Sequence, residues 1–81
     1  MHNIERENEI ILFIFRVCDM IGDVSCKLER CDNHISIELE YMLRHCKIMI
    51  TRDEFASITE NEFESGKENL RIVILNKLLK K

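Results

Sequence analysis

Cys26, Cys31, His34, His45 and Cys46 crowd the middle of the chain. They supply the sulfur and nitrogen atoms from which tetrahedral zinc sites are built. Structural zinc sites usually repeat a pair of ligands two to four residues apart. Here only Cys31 and His34 have that spacing. His45 and Cys46 are adjacent, so on a helix they point about 100° apart. Cys31 and Cys46 also continue apolar seams, where a free thiol serves as a small hydrophobe. No metal is assigned to them. A Cys/His nucleophile would need both side chains within hydrogen-bond reach and a group that stabilises the developing charge. No glycine-rich phosphate loop or nucleophile elbow accompanies them. The expectation is a chain with no catalytic residue, no cofactor and no small-molecule substrate.

Two further chemistries concern charge. Residues 51–64 can be read as a helix-turn-helix whose groove-entering helix begins Glu60-Asn61-Glu62-Phe63-Glu64. Those carboxylates would meet phosphate repulsion where duplex binding relies on Lys and Arg, so a DNA-binding regulator stands as the alternative function. The tail Lys77-Leu78-Leu79-Lys80-Lys81 suggests a membrane-surface helix, but stable attachment needs a longer basic face or a second anchor. Lysines in a last helical turn are already accounted for by the helix dipole. Neither nucleic acid nor membrane is the expected partner.

The elements that must position these residues follow from apolar spacing. Ile10, Ile14, Val17, Ile21, Val24, Leu28 and Cys31 are separated by alternate steps of four and three, an a/d heptad seam. That predicts one long helix over residues 3–31, capped by Asn3, with Gly22 on the side away from the seam. Asp32-Asn33-His34 is the predicted turn. Ile35, Leu39, Met42, Cys46 and Met49 repeat the spacing and predict a second helix over 35–50. Thr51 and Glu54 form a capping-box pattern that opens a third helix, with Phe55, Ile58 and Phe63 as its apolar face. Ser65 and Glu68 repeat that pattern and predict a last helix to Lys80.

Composition agrees with this outline. The 81 residues include no Pro and two Gly, and are 46% hydrophobic and 33% charged. This is one domain, 1–81, too apolar to be disordered. The fold expected is all-α, a small antiparallel bundle of three to four helices with a long N-terminal helix. The net charge of −3 conceals an acidic stretch over 51–68 followed by a basic tail. Met1–Glu9 is acidic, and the apolar run Ile10–Phe15 is too short for a signal core or a span. The four Cys are read as reduced thiols and the compartment as cytoplasmic. Twelve Ile against one Ala is the signature of AT-rich coding, which points to a phage, a virus or a low-GC bacterium as source.

The functional expectation rests on surplus apolar surface. Ile11, Phe15 and Cys18 form a second stripe on the first helix, continued by Gly22, whose missing side chain would admit another helix. Ile37, Tyr41 and Ile48 lie off the seam of the second. Two helices apolar on two sides cannot both be central in so short a chain. These seven residues are the candidate protein-interaction residues. The expected function is a small regulatory or adaptor protein that occludes or recruits a partner protein and self-associates as a homodimer.

Overall fold

The computed structural model describes residues 4–79. Helix α1 (Ile4–Ile21) leads into a meander of three strands, β1 (Ser25–Arg30), β2 (His34–Tyr41) and β3 (Arg44–Thr51). Helices α2 (Arg52–Glu60) and α3 (Phe63–Leu79) follow. The sheet is antiparallel in the order β1-β2-β3. The chain is therefore mixed α/β, not an all-α bundle. The heptad seam ends at Ile21, and the expected second helix over 35–50 is a hairpin. The Asn3 cap and the end of the last helix at Lys80 fall outside the described residues.

The correction has a plain physical cause. A step of four residues keeps parity, so Ile35 and Leu39 share a face of a strand as readily as a face of a helix. Alternation is the better description from Ser25 to Thr51. Cys26 and Leu28, then Ile35, Ile37, Leu39 and Tyr41, then Cys46, Ile48 and Ile50 point inward. Ser25, Lys27 and Glu29, then Glu38 and Glu40, then His45, Lys47 and Met49 occupy the other face. The register matches this, pairing Leu28 with Ile37 and Ile37 with Ile48 on the inner face. β-Branched Ile at four of the inward positions suits the pleat.

Gly22 ends α1. It takes φ 98°, a left-handed conformation open to glycine, and its N–H donates to the Cys18 carbonyl at 3.1 Å. It is a cap, with open space where a side chain would stand.

All three helices cover one face of the sheet. Ile10, Ile14 and Val17 of α1, Phe55 of α2 and Leu70, Ile74 and Leu78 of α3 close over Ile35, Ile37, Leu39, Ile48 and Ile50. The opposite face of the sheet is polar. The Thr51 cap is as the sequence predicts. Thr51 Oγ1 accepts from the Glu54 N–H at 3.1 Å, and the Thr51 N–H donates to Glu54 Oε1 at 3.4 Å. Helix α3 starts two residues before its expected cap. The Ser65 hydroxyl lies inside its first turn and donates to the Glu62 carbonyl at 3.5 Å.

Helices α2 and α3 approach closely because residue 66 has no side chain. A Cβ there would stand 2.6 Å from Ile58 Cγ2 and 3.2 Å from Ile58 Cβ. Gly66→Ala is therefore expected to destabilise by about 1–3 kcal/mol, even though Ala is the better helix former. Denaturant unfolding of Gly66→Ala and of Gly66→Ala with Ile58→Ala checks this. The second substitution should return part of the loss.

Candidate functional site

The residues singled out for chemistry do not converge. Cys31 and His34 flank the β1–β2 turn, joined through the backbone by the Cys31 N–H and the His34 carbonyl at 2.9 Å. Cys46 faces inward while its neighbour His45 is on the polar face. Among the described residues, no three His, Cys, Asp or Glu side chains stand together as metal ligands. The four Cys are free thiols. Two of them meet where α1 ends over β1. The Cys18 thiol donates to Cys26, which drives Cys18 far above the ordinary thiol range. The same contact holds Cys26 below it.

The Thr51–Glu64 segment folds as α2, the connection Asn61-Glu62 and the start of α3. Phe63, at that start, is half-buried beneath two cations, Arg6 at 4.8 Å and Lys67 at 4.4 Å from the ring centroid. Lys67 also pairs with Glu64 at 3.4 Å and Glu9 at 3.8 Å. These cations are turned onto carboxylates and aromatic faces.

A buried carboxylate that sequence spacing did not single out ties three elements together at one end of the sheet. The Glu7 side chain is 3% exposed, and its Oε1 lies 3.4 Å from Arg30 Nη1 and 3.8 Å from Arg52 Nη1. Arg30 also donates to Asn8 Oδ1 at 3.2 Å, and Arg52 Nε to the Cys31 carbonyl at 3.1 Å. Together these contacts tie α1, the end of β1 with its turn, and the start of α2.

The opposite end of the sheet is built differently. There the ends of α1 and α3 meet the β2–β3 hairpin. Val17, Met20 and Ile21 face Arg71, Leu75 and Leu79 across a groove of about 310 Å³. Ile21, Gly22 and Asp23 share a neighbouring hollow of about 440 Å³ with Tyr41 and Met42. Ile21 lines both, so the two form one continuous apolar pole. Arg44 Nη1 reaches the Lys77 carbonyl at 3.5 Å and links the hairpin to α3.

The hairpin tip is Met42-Leu43, where a two-residue loop ordinarily holds Gly, Asn or Asp. Met42 is 82% exposed and Leu43 fully so, and Met20 in the adjoining groove is 85% exposed. Met42 takes φ 56° and Asp23 φ 32°, the two non-glycine residues in the left-handed region among those described. Together with Gly22, all of the positive-φ backbone described lines one hollow. Strain and exposed apolar side chains coincide there.

The structure distributes the seven expected interaction residues unevenly. Ile37 and Ile48 of the sheet and Cys18 of α1 are in the core of the chain itself. Ile11 is half-buried, and Phe15 is exposed on the flank of α1. Gly22 and Tyr41 come together at the pole. Met20, Leu43 and Leu79 of the pole have no spacing signal, because separate elements contribute them, and the spacing that includes Met42 belonged to the expected second helix that the hairpin replaces. The available clue was negative: a turn between alternating runs that lacks every usual turn residue.

No known family model, curated protein or solved structure matches this chain. Among the described residues, no helix is long and apolar enough to cross a membrane.

Proposed function

We propose that this chain is a small regulatory or adaptor protein that works by binding another protein through the apolar pole, with no catalytic role. The observation that carries the reading is the hairpin tip. Leu43 is fully exposed, and Met42 stands beside it in a conformation that Gly would adopt without cost. Water gains nothing from a Met-Leu tip, and the fold would be better served without it. Backbone strain of this kind persists where a site requires it. Methionines at 20 and 42 offer a soft, adaptable surface of the sort that protein partners use. Four reduced thiols favour a cytoplasmic setting. Acidic side chains about the α2–α3 connection, Glu60, Glu62 and Glu64, favour a protein partner over duplex DNA.

The test separates the tip's service to a partner from its service to the fold. Met42→Gly is expected to leave stability unchanged or raise it by up to about 1 kcal/mol, since relief of left-handed strain exceeds the added freedom of the unfolded chain. A photo-crosslinking residue at Leu43 in the native cell should give one discrete protein adduct. The same residue at Lys27, on the polar face of the sheet, should give none, and Met42→Gly should diminish the Leu43 adduct. Equal labelling from both positions would sink the reading. So would a large loss of stability in Met42→Gly.

A further inference from the structure

Strand β3 is an edge of the sheet, and its outer side opens on an apolar groove. The direction of its backbone groups follows from its neighbours. The Arg52 N–H bonds the Asn33 carbonyl, while the Thr51 N–H turns to the Glu54 side chain. Alternation then sends the groups of Arg44, Cys46, Ile48 and Ile50 to β2 and leaves those of His45, Lys47 and Met49 facing outward. Ile48, Met49 and Ile50 belong to both faces of the strand, yet all three line one hollow of about 380 Å³. It is therefore the backbone edge that opens there, with Ile58, Leu70 and Val73 beyond it and Glu54, Ser57, Glu62 and Asn69 among them. Eight consecutive pairs join β3 to β2, so no bulge twists this edge away, and no Pro guards it.

Charge along the edge is arranged head against tail. Its first half carries Arg44, His45 and Lys47, and just past its end come Asp53 and Glu54. An antiparallel copy of the same strand would place each basic half beside the other's acidic end, twice over. We propose that the occupant of this edge is a second copy of the chain, the two β3 strands pairing antiparallel about a two-fold axis at Met49.

The register is constrained. Residues that face each other across antiparallel strands share a face, so the axis passes through a residue. An axis at Lys47 would set that ammonium against its own copy, and an axis at Ile48 would set Arg44 against Arg52 of the partner subunit, both destabilising. An axis at Met49 sets this 58%-exposed side chain against Met49 of the partner subunit. It lays Ile48 opposite Ile50 of the partner subunit on the inner face, where each is already buried in the core of its own chain. It also turns the basic half of the edge, Arg44 and His45, toward the acidic first turn of α2 of the partner subunit. The sheet becomes six-stranded, and the two Met42-Leu43 tips point in opposite directions, both still free. The interface lies away from the Ile11 and Phe15 flank expected from the sequence.

Sedimentation velocity over a hundredfold concentration range tests this with three chains. The wild type should dimerise. Met49→Lys and Met49→Glu, each on the solvent side of the edge, should both stay monomeric at concentrations where the wild type is mostly dimer. Mixed in equal amounts, the two variants should form a heterodimer, because only an axis at position 49 places Lys directly against Glu. A wild type that stays monomeric throughout overturns the proposal, and so do variants that dimerise unchanged. Variants that stay apart when mixed overturn the register and the proposal with it.

Discussion

Replacing Arg30 and Arg52 together with Ala is expected to cost about 3–5 kcal/mol, the loss typical when a buried charge loses charges paired with it. Replacing Glu7 with Met is expected to cost well under half as much. The asymmetry comes from burial. The Glu7 side chain is 3% exposed, whereas those of Arg30 and Arg52 are 44% and 32% exposed. Two guanidinium groups freed by Glu7→Met turn into water and regain hydration. A carboxylate that has lost both of them stays inside the protein, where a desolvated charge is expensive. Met fills the vacated volume with methylene and sulfur, which suits the apolar surroundings of Ile10 and Ile14 on the same face of α1. Urea unfolding of the two variants at neutral pH is the measurement. Equal losses would show that Glu7 is hydrated in solution and that the tie at this end of the sheet is a surface contact.

Ile37→Ala should cost about 2–5 kcal/mol, and the cost should persist at the lowest protein concentration that can be measured. Ile37 is fully buried at the centre of the central strand, between Leu28 and Ile48. Its removal leaves a cavity that neither neighbouring strand can collapse into without breaking the ladder. An interface residue behaves differently. Its contribution to the melting temperature fades on dilution, because association stabilises by mass action. Melts of wild type and Ile37→Ala across concentration separate the two roles. A shift that vanishes in dilute solution would take Ile37 out of the core.

Helix α1 was legible because its steps of four and three at Ile10, Ile14, Val17 and Ile21 have no alternation of apolar and polar residues beneath them, whereas the same steps from Ile35 to Met49 overlie one. The start of α2 was legible for another reason: a capping box is a local device whose two hydrogen bonds involve only Thr51 and Glu54. Past Gly22 the seam continued in name alone. Val24, Leu28 and Cys31 extend the spacing by coincidence, and the left-handed turn at Gly22 interrupts it in space. In the hairpin, the inward set Ile35, Ile37 and Leu39 and the outward set Ser36, Glu38 and Glu40 alternate strictly. That period of two was the stronger signal. The tie among Glu7, Arg30 and Arg52 was hidden, because long-range pairing of charges leaves no trace in local spacing. Arg30 lies off the heptad seam of the helix expected over 3–31, and α1 ends at Ile21. The pole was hidden for the same reason. Its residues come from positions 17–23, 41–43 and 71–79, and only the tertiary fold adds them together.

The packing of α1 against α3 has a consequence for the order in which the chain assembles. The meander needs only short loops and neighbours close in sequence, so its hairpins can close as soon as they are made. Helix α1 is made first and finished last. Phe13 and Glu9 wait for Lys67, and Val17 and Ile21 wait for Leu75 and Leu79, across more than half the length of the chain. During synthesis the side of α1 that meets α3 therefore stands uncovered until α3 has left the ribosome. A chain cut short within α3 keeps every strand it needs for the sheet and loses the lid over its first helix.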